Sequence, residues 1–451
     1  MFEALDDPGL LMEMSAAKRA ERMAVARQLF AAGRLCRRRL AQVPDDQRAQ
    51  WCIDNWEAVA AEVGAELGIS RNRASAQMNY GVELLERLPR LGAVFAAGEV
   101  DFRVVAAAVF RTGLITDAAV LAAVDAEFAL RARAWNRLSR KRLTGVIDMW
   151  ISRVDPAALR AARGADQDRH VEFGEARDGM VEFWGSLRAS DAAVLDRRLD
   201  ELAAETTSED TRTKAQRRAD ALAALGAGGI PGASGQVVVH VVAEAASLDG
   251  RADKPGYLPG YGCLPPGMLR ELAGAARLRP LTPAALLCTE PRYRPSAALA
   301  DYIRCRDLHC RFPGCDRPAE VCDIDHTVPW LLGGPTHPSN LALLCRAHHL
   351  LKTFWCGENG WAERQYSDGT IVWTSPSGRS YTTQPGGALL FPQLAEPSGQ
   401  LKTGLRQVRP APGRTLMMPA RRRTRAEERA ARISWERSLN ENRWAADPPP
   451  F

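Results

Sequence analysis

Apolar positions in the first half of the chain recur at three- and four-residue intervals, the spacing that places side chains on one face of an α-helix. Leu84, Leu88 and Leu91 follow this spacing. Prolines are few between residues 16 and 225, whereas Ala, Leu, Arg and Glu, which favour helices, are abundant. We therefore predict a mainly helical domain over residues 1–225.

One short stretch of this helical domain has a strand pattern instead. Val171 and Phe173 alternate with polar residues, and an extended pattern resumes over residues 181–187. The Asp-Gly dipeptide at residues 178–179 lies between them and favours a tight turn. The pattern predicts a small β-hairpin within the helical domain.

A change of composition marks the end of the helical domain. Residues 226–235 are rich in glycine, and the apolar run at residues 236–243 is typical of a buried strand. A Pro/Gly-rich loop then leads to a short helix near residues 268–276. We assign residues 226–300 to a linker region that contains this strand and helix.

The end of the chain is rich in Pro, Gly and Arg. Residues 401–451 contain twelve Lys/Arg and five Asp/Glu, so the first 400 residues, with 48 basic and 49 acidic side chains, are almost neutral. We predict that residues 384–451 form a mostly disordered tail with a short helix at 426–440. Such a basic tail is either a solvated extension or an arm that holds DNA.

Composition narrows the class of protein. A chain of 451 residues with 46% hydrophobic residues is long enough for two or three domains. It has no apolar run near 18 residues, so we expect no membrane-spanning helix. The acidic N-terminus lacks a secretory signal pattern, which favours the cytoplasm. In that reducing compartment the ten cysteines favour metal binding or buried thiols over disulfides.

Residues 59–80 have the outline of two helices separated by a turn at Gly68, with Ser70 as the cap of the second helix. A helix-turn-helix that reads DNA has this outline, and so does any pair of helices packed in a bundle. The sequence leaves both alternatives open.

Cysteine and histidine are concentrated between residues 305 and 349. Cys310 and Cys315 are separated by four residues that include Pro-Gly, and Cys345 precedes His348 by three positions. Two close pairs of sulfur and nitrogen donors suit a tetrahedral structural Zn²⁺. Reduced thiols beside a core histidine, or a disulfide between Cys310 and Cys315, are the alternatives.

A second set of ligands lies between and beyond the zinc pairs. His348 and His349 differ by about 100° in direction on a helix, so the two side chains can face separate ions. Asp325 offers a hard oxygen and His349 a nitrogen to a cation that keeps open positions for water and substrate. His326 is suited to accept a proton from water, as phosphodiester hydrolysis requires. Cys322 is a buried thiol or an alternative zinc ligand.

These residues carry a family resemblance. The pair Asp325-His326, then Asn340 and His349, framed by the two zinc pairs, resembles the HNH endonuclease motif in its zinc-stapled ββα-metal, treble-clef form. The remainder resembles HNH proteins whose long helical N-terminal region is the domain of unknown function numbered 222, a family of repeats associated with mobile elements. The fold class expected is a mainly α domain with a small hairpin, a small α+β zinc module at residues 301–383, and a disordered tail.

The resemblance implies roles for individual residues. His326 would be the general base, while Asp325 and His349 would bind a catalytic Mg²⁺ or Mn²⁺ ion. Asn340 would orient His326 or, as in some relatives, bind the metal. Lys352 is a candidate phosphate contact, with a plain solvated lysine as the alternative.

The function implied is metal-dependent DNA hydrolysis, with DNA as partner, no membrane association and no prediction of oligomeric state. The alternative function is a DNA-binding or regulatory protein that keeps the zinc fold with little catalysis. A further histidine ligand, found in some members four residues after the last motif position, is replaced here by Thr353.

Overall fold

The structure is a computed structural model of the full chain. It describes residues 2–3, 5–42, 47–159, 169–177, 180–187, 189–204, 210–227, 240–259, 261–281, 289–357, 359–398 and 417–446. Among the helices described there, none is both long enough and apolar enough to cross a lipid bilayer.

The chain forms two compact units. The first contains residues 1–160 and 279–451, and the second contains residues 161–278. These limits differ from the predicted boundaries at residues 225, 300 and 383, which stay predictions. The difference arises because helices near the N-terminus share a core with the zinc module, which no pattern along the sequence reveals.

Among the residues that the structure describes, seven α-helices form the N-terminal part of the first unit. They are α1 (Asp7–Ala41), α2 (Asn55–Leu67), α3 (Arg71–Glu86), α4 (Pro89–Ala96), α5 (Phe102–Arg111), α6 (Ala118–Trp135) and α7 (Arg140–Val154). Short polar side chains cap several of them, as where the Asp54 carboxylate accepts the Glu57 N–H at 2.9 Å. Leu84, Leu88 and Leu91 are buried in the helical core, as their spacing predicts.

Helices α1 and α3 approach closely because glycine lies at the contact on each helix. A Cβ atom at Gly81 would lie 2.0 Å from the backbone oxygen of Leu29, and one at Gly33 would lie 2.5 Å from the Gly81 backbone. Any larger residue at either position would force the helices apart.

The second unit contains the predicted hairpin. Its elements are β1 (His170–Arg177), β2 (Met180–Ser186), α8 (Ala189–Ala204), α9 (Lys214–Ala227), α10 (Ala245–Leu248), β3 (Gly256–Leu258), β4 (Gly262–Leu264) and α11 (Pro266–Ala275). β1 and β2 are antiparallel, with Phe173 opposite Phe183. The predicted turn at 178–179 and most of the predicted linker and strand, at 228–239, lie outside the described residues.

The C-terminal part of the first unit carries the zinc module. Its elements are α12 (Ala297–Asp307), β5 (Cys322–His326), β6 (Leu341–Cys345), α13 (Arg346–Phe354), β7 (Ala362–Gln365), β8 (Ile371–Thr374), β9 (Ser380–Thr383) and α14 (Arg425–Ala446). β5 and β6 are an antiparallel pair followed directly by α13, and β7–β9 form a separate sheet. The predicted fold class, a mainly α region with a small α+β module, is confirmed.

The module packs on helix α2. The Trp355 indole N–H donates to the Ile53 backbone oxygen at 3.0 Å, and the Tyr381 hydroxyl donates to the Glu66 carboxylate at 2.9 Å. Arg71, in the first turn of α3, forms an ion pair with Glu57 of α2. Helix α2 therefore contributes to the core shared with the module, and α3 packs against α1 and α2, which favours the packing alternative over DNA reading.

Order near the C-terminus extends further than composition predicts. The helix expected at residues 426–440 is present as α14, which is longer. Arg425 Nε lies 3.1 Å from Asp54 Oδ2, and Arg437 Nη1 lies 2.7 Å from Asp155 Oδ2. Because buried carboxylates need counter-charges, these arginines hold α14 against the start of α2 and the end of α7. Residues 399–416 of the predicted disordered tail lie outside the described residues.

Candidate metal centres and catalytic site

The four predicted zinc ligands meet at one point. The ligand atoms of Cys310, Cys315, Cys345 and His348 all lie within 4.8 Å of one another. His348 Nδ1 is 3.4 Å from Cys310 Sγ and 3.3 Å from Cys345 Sγ. In a tetrahedral zinc site, bonds of the usual length separate such atoms by about 3.6–3.8 Å. The cluster is therefore compatible with zinc.

Local structure brings the four ligands together. Cys345 ends β6 and caps α13, so that His348 lies in the first turn of that helix. The Phe312 ring stacks on the His348 imidazole, with ring centroids 4.0 Å apart. The Cys345 backbone N–H donates to Cys310 Sγ at 3.3 Å. Hydrogen bonds from Cys310 and Cys315 lower the pKa of the Cys345 thiol, which favours the thiolate that a metal requires.

Cys322 is outside this group of four, although it is opposite Cys345 in the β5–β6 register. Its thiol donates to the Arg317 backbone oxygen at 3.5 Å. This placement agrees with a thiol outside the cluster, but Cys322 is partly exposed rather than buried as predicted.

The second set of ligands lies on β5 and α13. Asp323 and Asp325 share one face of β5, because side chains alternate along a strand. His349 lies against both carboxylates. Its Nδ1 is 2.9 Å from Asp323 Oδ2, and its Nε2 is 3.4 Å from Asp325 Oδ1. His348 and His349 thus face different ligand sets.

Lys352 holds the other oxygen of Asp325. Its ammonium lies 2.6 Å from Asp325 Oδ2, 2.6 Å from the His326 backbone oxygen and 2.8 Å from Glu363 Oε1. Burial acts to lower the pKa of Lys352, but Glu363 and Asp325 outweigh it and raise that pKa. The lysine is therefore charged and buried, and all three ammonium protons have acceptors. The solvated-lysine alternative is therefore wrong, whereas the phosphate contact stays a prediction.

The His326 imidazole contacts a different group of residues. Its Nε2 lies 2.9 Å from the Thr336 hydroxyl oxygen, and the hydroxyl itself donates to the Arg292 backbone oxygen at 2.5 Å. The hydroxyl must therefore accept a proton from Nε2, which leaves Nδ1 as the basic nitrogen of the neutral ring. The ring of Tyr293 stacks on the imidazole and that of Trp330 lies beside it. Burial lowers the pKa of His326, which keeps the ring neutral near pH 7.

Asn340 holds the loop that follows His326. Its side-chain oxygen accepts the Val328 N–H at 2.8 Å, and its amide donates to the backbone oxygens of Val328 and Pro335 at 3.1 and 2.9 Å. A Cβ atom at Gly334 would lie 1.8 Å from the Val328 oxygen. Among the side chains that the structure describes, Asn340 makes no hydrogen bond with His326, so the predicted effect of Asn340 on the imidazole would have to pass through the loop.

Sequence reasoning missed four residues around this site, namely Asp323, Glu363, Thr336 and Tyr293. The alternation of Asp323 with Asp325 in a strand could have identified the first of them. The other three come from separate loops and strands, and no local spacing marks them.

The strand pair β5–β6 and the helix α13 are joined by the Cys₃His cluster. Asp325 and His326 lie at the end of β5, and His349 lies on α13. This arrangement is that of the HNH class of metal-binding modules. Residues 305–354 match the family described as HNH endonuclease. Residues 16–307 match the family described as Domain of unknown function (DUF222). Because this second match spans more than half of the chain, the protein belongs to the DUF222 family, with an HNH domain following.

Relatives of similar length exist in Mycobacterium tuberculosis. The uncharacterized protein Rv3776 is 43% identical over 487 residues, covering 99% of this chain and 92% of the relative. The uncharacterized protein Rv2100 is 42% identical over 505 residues, covering 99% and 90%. No solved structure matches the chain. The HNH domain gives the protein a nuclease-type module and implies a nucleic-acid substrate.

Proposed function

We propose that the protein is a metal-dependent DNA endonuclease, which hydrolyses phosphodiester bonds to leave 5′-phosphate and 3′-hydroxyl ends. One observation carries the proposal. Asp325 Oδ1 and His349 Nε2 lie 3.4 Å apart, next to a strand end that also carries the buried imidazole of His326. A structural zinc finger has no need for this second set of polar groups.

Asp325 and His349 suit a small divalent cation. Two ligands on one ion with bonds near 2.1 Å, at right angles, lie about 3 Å apart, close to the separation here. The carboxylate of Asp323 accepts the Nδ1 proton of His349, which leaves the Nε2 lone pair free to bind. When bound there, Mg²⁺ or Mn²⁺ would stabilise the negative charge on the phosphate and on the leaving 3′-oxygen.

His326 is the general base in this proposal. The Thr336 hydroxyl fixes the ring by accepting its Nε2 proton, so Nδ1 can take a proton from the attacking water. The proposal requires the scissile phosphate to lie across the end of β5, where Asp325 and His326 are consecutive residues.

Two other residues position the reacting groups. Lys352 holds Asp325 Oδ2 and the His326 backbone oxygen, and so fixes the carboxylate relative to the strand end. Asn340 holds together the two ends of the loop from Val328 to Pro335, which follows His326. We assign both residues to positioning rather than to contact with phosphate.

Zinc at the Cys₃His cluster would have a structural role, because four protein ligands leave no open position. Free thiolates persist in a reducing compartment, so the cytoplasm is the location that this proposal favours.

Plasmid nicking tests the proposal directly. Purified wild-type protein is incubated with supercoiled plasmid and Mg²⁺, Mn²⁺ or a chelator, and compared with the variant His326→Ala. Removal of a general base lowers rates by roughly 10²–10⁴-fold. We expect that loss in the variant, with unchanged zinc content.

The matched control is His240→Ala, which removes an exposed histidine of the other compact unit. We expect wild-type cutting from this control. Equal cutting by wild type and His326→Ala would refute the assigned base. Tight DNA binding without cutting, under any cation, would instead favour a DNA-binding protein that retains the fold.

A further inference from the structure

A short loop before α12 is fixed against the catalytic imidazole. The Glu290 backbone N–H donates to the Thr336 oxygen at 2.9 Å, and the Thr336 hydroxyl donates to the Arg292 oxygen. The Ser296 N–H and hydroxyl both donate to the Glu290 carboxylate, at 2.7 and 2.6 Å. Residues 290–296, here called the 290–296 loop, are therefore held at both ends. The first end is bonded to Thr336, the same residue whose hydroxyl orients His326.

The 290–296 loop presents an aromatic ring at the site. Tyr293 is nearly parallel to the His326 ring, with centroids 5.3 Å apart and planes 15° apart. One face of the tyrosine is thereby covered, yet the residue remains 59% exposed. Trp330 contacts the same ring edge-on at 6.3 Å. The outer face of Tyr293 is open to solvent next to the reacting centre.

Positive charge flanks this ring. Arg292 and Arg294 are both exposed, and neither has an ion pair among the described residues. Leu331, which follows Trp330 in the sequence, is 87% exposed. An open aromatic face with cationic neighbours is the combination that proteins use to bind single strands, in which bases stack on rings and arginines contact phosphates.

We propose that Tyr293 is a stacking platform for an unpaired nucleobase next to the scissile phosphate, and that the preferred substrate is DNA with unpaired nucleotides. The proposal rests on the proposed function of the same site. In a continuous duplex every base already stacks on its neighbours, so no base face is available to Tyr293. A single strand, a gap or a flap offers a free base face, and the exposed Arg292 and Arg294, on either side of Tyr293 in the sequence, supply positive charge for its phosphates.

The test measures binding separately from cutting. All variants carry His349→Ala, which removes a proposed cation ligand but does not change Tyr293. Fluorescence anisotropy then gives the Kd of each variant for the same DNA sequence in three forms: duplex, gapped duplex and single strand. Replacing Tyr293 by Ala should weaken binding to the gapped and single-stranded DNA by roughly 5- to 150-fold, the range for loss of one base stack. Binding to duplex should change less than twofold.

Two matched variants separate stacking from folding. Tyr293→Phe keeps the ring and should bind like the parent, whereas Tyr261→Ala removes an exposed tyrosine of the other unit and should have no effect. A 5-iodouracil placed in the gap should cross-link to Tyr293 itself, as read by mass spectrometry. Zinc content and thermal unfolding should be the same in all variants.

The outcomes distinguish the two proposals. Equal weakening on duplex and single strand, or no weakening by Tyr293→Ala, would overturn the stacking platform. Selective weakening together with cross-linking would support it even if the wild-type protein cuts none of these substrates. That absence of cutting would count against the endonuclease proposal alone.

Discussion

The two ligand sets share one framework of β5, β6 and α13, yet they differ in burial and charge. Cys310 and His348 are 1% and 3% exposed, and their ligand atoms contact one another directly. The side chain of His349 is 26% exposed and that of Asp323 is 44% exposed. The Cys₃His cluster, called the closed set below, lies inside the module. Asp325 and His349, called the open set, are accessible to solvent.

This difference shows how one short hairpin and helix can support two kinds of site. Four soft protein ligands complete a tetrahedral shell and leave nothing for chemistry. In the proposed function, Asp325 and His349 would supply only two ligands, so most positions around a hard cation would stay available for water and phosphate oxygens. Consecutive residues on α13 belong to the two sets because the helix turns by about 100° per residue.

The closed set should dominate stability. Replacing Cys345 by Ser would remove one proposed zinc ligand and the contact between Cys345 Sγ and His348 Nδ1. Structural zinc sites contribute about 10–16 kcal/mol of binding free energy to folding, so the module should not fold without the ion. Elemental analysis should give no zinc in the variant, and calorimetry should show loss of the cooperative unfolding transition of the first unit, whose core the module shares.

Cys356→Ser is the matched control, because Cys356 is exposed and lies outside the Cys₃His cluster. It should retain zinc and the full unfolding transition. If Cys345→Ser folded with wild-type stability, the distinction between a structural and an open set would be wrong.

Lys352, which forms an ion pair with Asp325 of the open set, should contribute strongly to the free energy of unfolding. Its side chain is 10% exposed and lies between Asp325 and the 8% exposed carboxylate of Glu363. Removing one partner of a buried ion pair costs about 3–5 kcal/mol, because the other charge stays buried without compensation. Lys352→Met should lower the free energy of unfolding by this amount in urea denaturation, with zinc still bound.

A double variant sharpens this prediction. Lys352→Met combined with Glu363→Gln removes both buried charges and should recover part of the lost stability. Equal instability of the single and double variants would mean that the cost arises from packing rather than from an unpaired carboxylate.

Local spacing made the closed set predictable from the sequence. The intervals Cys310–Cys315 and Cys345–His348 each place two ligands on one tight turn or helix start, and the structure brings all four together. The helical core was predictable for the same reason, since Leu84, Leu88 and Leu91 repeat at helical intervals. Patterns with short periods translate directly into local geometry.

Contacts between distant segments could not be predicted in this way. Glu363 reaches Lys352 from β7, and Thr336 reaches His326 from a loop. The arginines of α14 were interpreted as a solvated tail or a DNA arm, yet Arg437 pairs with Asp155, 282 residues earlier. Tertiary packing of the first unit brings these partners together, so they cannot be predicted from spacing along the sequence.

The smallest expected effect is at Asp323, which contacts His349 without being one of the two proposed metal ligands. Its carboxylate accepts the Nδ1 proton of His349, and partners of this kind typically change metal affinity by 10- to 100-fold. In Asp323→Asn the amide oxygen still accepts that proton but without charge, so Mn²⁺ affinity, measured by calorimetry, should fall at the lower end of that range. Unfolding and zinc content should not change, and the exposed Asp316→Asn variant should bind Mn²⁺ like wild type. A purely structural role for Asp323 would instead lower stability and leave Mn²⁺ affinity intact, which would remove the open set's supporting carboxylate from the comparison.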